Sequence, residues 1–250
     1  MDKDTLEKTY EFYCLSYNNK ERKENMKSRF EKIGVNCKFY GGVNFQDSRI
    51  ARRLIDENCK RAWSLFYGHL DMIFYFYNNT KKEYGIFCED DLLIHQNLLE
   101  FMPKITADFK ALELDVLLLG YLVQHKIDET IPNFELKNNN NNNTIINSMD
   151  QKYKYHNYHD QIWGAQMYML SRKQAGVLLD KYYYNYADKT IKDTTMCPFA
   201  ADWTLTKDGN RALIYPMISC ENGIFNYENQ GQKIFHQNCF TISCDKENFI

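Results

Sequence analysis

Apolar and polar residues follow two alternating periods along the chain, and these periods predict its secondary structure. Short apolar runs are typical of buried strands, whereas apolar residues spaced by three and four are typical of helices. The predicted strands are 11–16, 35–43, 85–88, 115–120, 163–170 and 211–215. The predicted helices are 20–32, 47–77, 96–110, 171–181 and 201–205. This alternation predicts an α/β fold with a Rossmann-like central sheet.

Two of the predicted helices carry additional local signals. In the predicted helix 47–77, apolar residues fall at steps of three and four and are expected to form one buried stripe. They are Ala62, Phe66, Leu70, Ile73 and Tyr77. In the predicted helix 171–181, Ser171 is followed three residues later by Gln174. This spacing matches a capping box and predicts that a helix begins at Ser171.

A long polar stretch, residues 124–159, interrupts the pattern, and 138–143 within it are all Asn. A loop of this length in a compact domain is usually a lid, an insertion or disordered. We interpret it as a flexible insertion in a single domain that spans residues 1–250. The aromatic residues that flank the Asn run are expected to contribute to a lid or to an acceptor site. They are Tyr153, Tyr155, His156, Tyr158 and His159.

Composition excludes one class of partner. The chain has 250 residues, of which 44% are hydrophobic and 15% aromatic, so it can bury one sizeable core. Its formal net charge is −2. Non-specific nucleic-acid binding needs a basic surface that displaces counterions. We therefore predict no nucleic-acid partner.

The expected compartment follows from three further features. The segment 1–8 is too rich in charge for a signal peptide, and no apolar run approaches the ~20 residues that span a bilayer. Eight cysteines are present without a C-x-x-C pair. Free thiols in a reducing compartment are the default for such a pattern. The sequence therefore predicts a cytoplasmic protein without a transmembrane segment.

The segment 85–91, Gly-Ile-Phe-Cys-Glu-Asp-Asp, is an apolar run that ends in three carboxylates. Adjacent carboxylates repel one another unless water, hydrogen-bond donors or a cation offset their charge. Many α/β enzymes use a buried strand to deliver acids to its carboxyl end, where they hold a divalent metal under a bound diphosphate. A solvated turn in which Asp91 caps the following helix explains the motif equally well.

Five sequence blocks within residues 11–220 stand in an order that matches a known family. The blocks are Leu15-Ser16-Tyr17 with Glu21-Arg22 and Met26, Gly68-His69, Cys88-Glu89-Asp90-Asp91 with 115–120, the 168–175 sequence Tyr-Met-Leu-Ser-Arg-Lys-Gln-Ala, and Ala201-Asp202-Trp203. Together they resemble glycosyltransferase family 25, the lipopolysaccharide galactosyltransferases and collagen glycosyltransferases. The chain departs from the family pattern at Ser16, Gly68 and Gln166. These departures affect the identity of the donor and acceptor more than the reaction class.

The resemblance implies a GT-A fold, in which helices flank a mixed central sheet. It also implies a UDP-galactose or UDP-glucose donor and a Mn²⁺ or Mg²⁺ ion, since hard cations prefer oxygen ligands. Asp91 is the implied direct metal ligand. Glu89 lies two residues earlier and is expected on the same side of the strand. Asp90 is expected to face the ribose or a backbone amide, although the roles of the three acids are interchangeable at this stage.

Further residues acquire roles from the same resemblance. The resemblance implies that the nucleotide-sugar donor is contacted by the opening block Leu15-Ser16-Tyr17, by Arg22 and by His69. Each of the last two assignments has an open alternative. For Arg22 it is a solvated helix face beside Lys20 and Lys23. For His69 it is a structural role near the buried stripe.

The family is of the inverting type, so a base must remove the proton of the acceptor hydroxyl. Asp202 is the candidate, with an N-cap of residues 203–206 as the alternative. His236 is similar to the C-terminal histidine that binds the metal in some GT-A enzymes. Trp163, Trp203 and the tyrosines 182–184 are candidates for a sugar-stacking surface, although such aromatics also pack cores.

The leading hypothesis is a metal-dependent inverting glycosyltransferase that moves a hexose to a hydroxyl of a glycan, lipid-linked glycan or protein acceptor. A metal-dependent nucleotidyl or phosphoryl transferase could use the same carboxylates, but the chain has no G-x-x-x-x-G-K-[ST] loop. A third possibility is a non-catalytic GT-A-like protein that binds a glycan or a partner. The intact acids argue against it, because unneeded clustered carboxylates destabilise a fold.

Overall fold

The computed structural model describes residues 9–51, 57–125, 127, 153–158, 160, 162–244 and 247–250. Its strands are β1 (Tyr10–Leu15), β2 (Cys37–Tyr40), β3 (Tyr84–Glu89), β4 (Leu92–Ile94), β5 (Val116–Leu122), β6 (Lys154–His156), β7 (Trp163–Ser171), β8 (Arg211–Tyr215) and β9 (Ser219–Glu221). Its helices are α1 (Lys20–Lys32), α2 (Ser48–Ala51), α3 (Glu57–Asn79), α4 (Leu98–Ala111), α5 (Arg172–Tyr182), α6 (Tyr186–Lys192), α7 (Ala201–Thr204) and α8 (Gln230–Ser243).

A mixed seven-stranded sheet has the order β2-β1-β3-β7-β5-β8-β6. β1 pairs in parallel with β2 and β3, and β5 pairs in parallel with β8. β7 runs antiparallel between β3 and β5. The carboxyl ends of β1, β3, β5 and β8 therefore lie at one edge, together with the beginning of β7. We call this edge the carboxyl edge.

The sheet separates two hydrophobic clusters because successive strand residues point to opposite faces. In β3, Phe87 belongs to one cluster, whereas Ile86 and Cys88 belong to the other. Helices α3 and α5 contribute buried residues to the first cluster, and α1 and α4 contribute to the second. This confirms the predicted α/β fold with a mixed central sheet flanked by helices.

The start of α5 is predicted correctly. Ser171 is its N-cap, and the Ser171 side chain accepts a hydrogen bond from the Gln174 amide. The bounds of α1 also match the predicted helix 20–32. Within the described residues, no helix is both long and apolar enough to cross a bilayer.

The predicted helix 47–77 corresponds to α2 and α3, with residues 52–56 outside the described residues. The predicted buried stripe is wrong at both ends, because Ala62 is half-buried and Tyr77 is 42% exposed, whereas Trp63 is fully buried. Tyr77 lies near the end of α3 and its ring contacts Gly176 of α5 instead of the sheet. The predicted strand 35–43 is also shorter, because only Cys37–Tyr40 pairs with β1.

The interpretation of 124–159 as a weakly structured insertion is wrong at its carboxyl end. Strand β6 lies there and pairs antiparallel with β8. The flanking residues predicted for a lid are buried instead: Tyr153, Tyr155, His156 and Tyr158. Tyr155 donates a hydrogen bond to Asp108 Oδ2 at 2.9 Å, so its hydroxyl has a buried partner within the core. His159 and the Asn run lie outside the described residues.

Candidate active site

The three consecutive acids lie at the carboxyl edge. Glu89 is the last residue of β3, and Asp90 and Asp91 follow it directly. The next element is β4, a strand that begins at Leu92. Because no helix begins at this point, the alternative in which Asp91 caps the following helix is wrong.

Asp90 and Asp91 share one guanidinium group. Arg22 Nη2 lies 2.7 Å from Asp90 Oδ1 and 2.6 Å from Asp91 Oδ2. Ser16, directly after β1, donates a hydrogen bond from Oγ to Asp90 Oδ2 at 2.6 Å. Arg22 is held in the first turn of α1, where its backbone amide donates to the N-cap residue Asn19. It therefore belongs to the acid cluster, and the alternative of a merely solvated helix face is wrong.

This contact leads to a stability prediction. Arg22→Gln should lower the free energy of unfolding by about 1–3 kcal/mol, because it removes charge-assisted bonds and leaves Asp90 buried beside Asp91. Lys20→Gln, at an exposed position of the same helix, is the matched control and should change it little. Urea unfolding in the presence of EDTA measures both. An Arg22→Gln protein as stable as the control would contradict a role in charge compensation.

A small second sheet brings another acid to Asp91. β4 pairs antiparallel with β9, so Leu92 stands opposite Glu221, and the Asn222 amide donates to the Asp91 carbonyl at 2.8 Å. Sequence analysis missed Glu221. A usable signal was present, because Cys220-Glu221 at the end of a strand repeats the Cys88-Glu89 pattern.

Helix α8 places His236 in this cluster. His236 Nδ1 lies 2.7 Å from Glu221 Oε1, and the Tyr227 ring stacks on the imidazole with 4.3 Å between centroids. The other carboxylate oxygen, Glu221 Oε2, is buried and has no hydrogen-bond partner within the described residues. The structure thus brings the sequence-predicted His236 next to the acids through Glu221.

Burial and mutual repulsion perturb the acids. Burial raises the pKa of Glu89 well above its usual value, and the charges of Asp91 and Asp202 raise it further. Burial also raises the pKa of Asp91, with repulsion from Glu221 adding to the effect and Arg22 opposing it. The Arg22 charge thus opposes burial and like-charge repulsion only in part, and the environment disfavours the ionised form of both acids.

His69 lies behind Glu89 and is fully buried. Burial lowers its pKa to about 3, so the imidazole is neutral at physiological pH. Its Nδ1 is 2.9 Å from the Tyr168 hydroxyl, whereas Nε2 is 3.6 Å from Glu89 Oε1, which is too long for a hydrogen bond. A neutral ring at this distance makes no ion pair.

The rest of the opening block divides between core and surface. Leu15 is buried and contacts Gly68, where an added Cβ would lie 2.9 Å from Leu15 Cδ1. This close approach explains why the position holds glycine, since a larger residue would displace Leu15. Tyr17 is 40% exposed at the carboxyl edge. Of the three residues, only Ser16 contacts an acid through a described hydrogen bond.

Asp202 reaches the start of β7 instead of capping its own helix. The N-cap of α7 is Ala200, so the N-cap alternative for Asp202 is wrong. Its Oδ1 accepts hydrogen bonds from the Gly164 amide at 2.8 Å and the Ala165 amide at 2.7 Å. Burial raises the pKa of Asp202, and these two bonds partly oppose the shift. A half-buried carboxylate with a raised pKa suits a general base.

The oxygen atoms of the acid cluster have the chemistry that a hard divalent cation accepts, although the described side chains do not form a preassembled site. The cluster supplies carboxylate oxygens and one imidazole, which are ligands that Mn²⁺ and Mg²⁺ accept. Glu221 Oε2 has no hydrogen-bond donor among the described residues, so a cation would satisfy it. No group of three His, Cys, Asp or Glu side chains in the described part forms a preassembled metal site. Arg22 occupies the position between Asp90 and Asp91.

Comparisons with known proteins give distant similarities. No family model and no curated protein matches the chain. The crystal structure of A197 from STIV is 12% identical, with a TM-score of 0.37 over 82% of this chain and 81% of that chain. A glycosyltransferase involved in the glycosylation of the major capsid of PBCV-1 is 11% identical, with a TM-score of 0.34 over 92% and 98%. TM-scores this low carry no functional argument, so a function must be argued from the chain's own residues.

Proposed function

We propose that the chain is a metal-dependent glycosyltransferase, similar to glycosyltransferase family 25, that moves galactose or glucose from a UDP-sugar to a hydroxyl acceptor. One observation carries the proposal. Acids from three separate segments, Glu89 to Asp91, Asp202 and Glu221, come together at the carboxyl edge of an α/β sheet. Ligands of open α/β sheets bind at this kind of edge.

Glu89 and Asp91 are the residues that we assign to a Mn²⁺ or Mg²⁺ ion, with Glu221 and His236 as further ligands. A bound divalent cation supplies the positive charge that stabilises the departing nucleoside diphosphate. The first role of the chain's own residues is to hold the diphosphate in place. Arg22 is the guanidinium best placed for that, because it already contacts two of the acids.

Ser16 and Tyr17 are assigned to the donor because they follow β1 at the same edge. Ser16 orients Asp90 through its hydroxyl, and Tyr17 exposes its ring. We assign His69 a structural role and no contact with the donor, because it is fully buried and its Nδ1 lies 2.9 Å from the Tyr168 hydroxyl.

Asp202 is assigned as the base of an inverting transfer. Both backbone amides bind its Oδ1, which fixes the carboxylate and leaves Oδ2 as the oxygen that takes the acceptor proton. The acceptor oxygen then forms the new glycosidic bond as the bond to the diphosphate breaks. The acceptor belongs to a glycan, a lipid-linked glycan or a protein.

The test of this proposal is ligand-dependent thermal stability. UDP should raise the melting temperature in the presence of Mn²⁺ and should have no effect in EDTA. A ligand that binds only the folded state adds about 2.7 kcal/mol of stability at a concentration of 100 Kd. An equal shift with ATP would favour a nucleotidyl or phosphoryl transferase. A shift with neither nucleotide would overturn the proposed function.

A further inference from the structure

Two half-exposed tryptophans flank the proposed base. The rings of Trp163 and Trp203 meet edge to face, with 5.5 Å between their centroids. Trp163 is 37% exposed, in contrast to the third tryptophan, Trp63, which is fully buried in the core. Neither half-exposed indole N–H donates a hydrogen bond to a residue that the structure describes. Their faces and donors are therefore accessible to a ligand.

The pairing of the two rings follows from the contacts of Asp202. Trp163 directly precedes Gly164, and Trp203 directly follows Asp202. The hydrogen bonds that the Gly164 and Ala165 amides donate to Asp202 Oδ1 therefore hold the two indoles close together. Gly164 allows β7 to approach β5, because an added Cβ would lie 2.6 Å from Leu118. Both indoles therefore lie beside the carboxylate of Asp202.

We propose that Trp163 and Trp203 form an acceptor subsite that stacks the pyranose ring of a hexoside beside Asp202. The electron-rich face of an indole attracts the polarised C–H groups of a pyranose ring. Asp202 Oδ2 accepts neither of the two backbone amide bonds, so it can accept a hydrogen bond from a hydroxyl of a neutral carbohydrate. The assignment of the bound sugar as acceptor rests on the proposed function, but the stacking subsite itself does not.

Tryptophan fluorescence tests the subsite without any nucleotide or metal. The chain contains three tryptophans, and the buried Trp63 is shielded from a ligand at the surface. Methyl β-D-galactopyranoside or methyl β-D-glucopyranoside should change the emission saturably and reduce quenching by acrylamide. Trp163→Ala should weaken binding about tenfold or more, whereas Trp163→Phe keeps an aromatic face and should weaken it less. Tyr77→Ala removes a 42% exposed aromatic ring near the end of α3 and is the matched control.

The outcomes separate this inference from the proposed function. If neither glycoside changes the fluorescence of a folded wild-type protein, or if Trp163→Ala binds as well as Tyr77→Ala, the subsite is overturned. A saturable response to choline that exceeds the response to both glycosides would overturn the carbohydrate assignment, since a cation also binds indole faces. The effect of UDP with Mn²⁺ on the melting temperature should be the same in Trp163→Ala and wild type. If UDP with Mn²⁺ does not change the melting temperature of the wild type, the proposed function is contradicted, whereas the sugar-binding result still stands.

Discussion

Asp91→Asn is expected to abolish metal-dependent UDP binding while the protein stays folded. Asn keeps the shape of the side chain but removes the negative charge that a divalent cation requires. We expect the affinity for UDP in the presence of Mn²⁺ to fall by more than about 100-fold. This estimate exceeds the roughly 10–100-fold typical of residues that only support a metal ligand. Isothermal titration calorimetry with UDP and Mn²⁺ measures the loss.

The stability of Asp91→Asn gives the same experiment a second readout. The pKa of Asp91 is raised in the folded protein, so the fold disfavours the charged carboxylate relative to the unfolded chain. A neutral Asn removes this unfavourable term together with the repulsion from Glu221. It also weakens the contact with Arg22, which offsets part of the gain. The melting temperature of the metal-free variant should therefore be close to that of wild type or above it.

Glu100→Gln is the control for Asp91→Asn. Glu100 is an exposed carboxylate in α4. Its replacement should change neither UDP affinity nor melting temperature. UDP binding by Asp91→Asn with wild-type affinity would show that the metal assignment is wrong. A large fall in melting temperature would show instead that the Asp91 charge stabilises the fold.

The segment around Glu89 was predictable from sequence because its signals are local. An apolar run that is covered on both faces predicts a strand, and acids directly after it must lie at the strand's carboxyl end. The Ser171 cap was predictable for the same reason, since its partner Gln174 is three residues away. In both cases short-range chemistry and tertiary packing favour the same structure.

The position of Glu221 beside the acids depends on long-range pairing that local patterns do not encode, and His236 was connected with the acids only through the family resemblance. The strands β4 and β9 have three residues each, which is too short for a period-two pattern to be recognised. Strand β6 was missed for a related reason. Its Tyr155 was interpreted as part of a lid or an acceptor site because it lies in the polar stretch that holds the Asn run, whereas the Tyr155 hydroxyl donates to Asp108 in the core.

The two alternatives for Asp202 show where local sequence rules fail. An acid near the start of a short helix matches an N-cap in sequence, but capping depends on which residue leaves helical geometry. In this chain Ala200 occupies that position. The carboxylate is then free to bind amides of a strand 37 and 38 residues earlier, a contact that no local pattern encodes.

Asp202→Asn is expected to leave UDP binding in the presence of Mn²⁺ within about threefold of wild type and to abolish sugar transfer. The Asn Oδ1 can accept both amide bonds from Gly164 and Ala165, so the local structure is retained. The amide cannot take the acceptor proton, and loss of general base catalysis lowers the rate by about 10²–10⁴-fold. Transfer is measured as UDP release with UDP-galactose or UDP-glucose as donor and a methyl hexoside as acceptor.

Asp202→Ala separates the structural and chemical parts of this effect. It leaves the two backbone amides without their acceptor, which should lower the free energy of unfolding by about 1–3 kcal/mol in addition to the loss of transfer. Asp180→Asn, an exposed acid in α5, is the control and should transfer at the wild-type rate. Turnover by Asp202→Asn at the rate of this control would exclude Asp202 as the base, because a side chain that cannot accept the proton would then sustain the reaction.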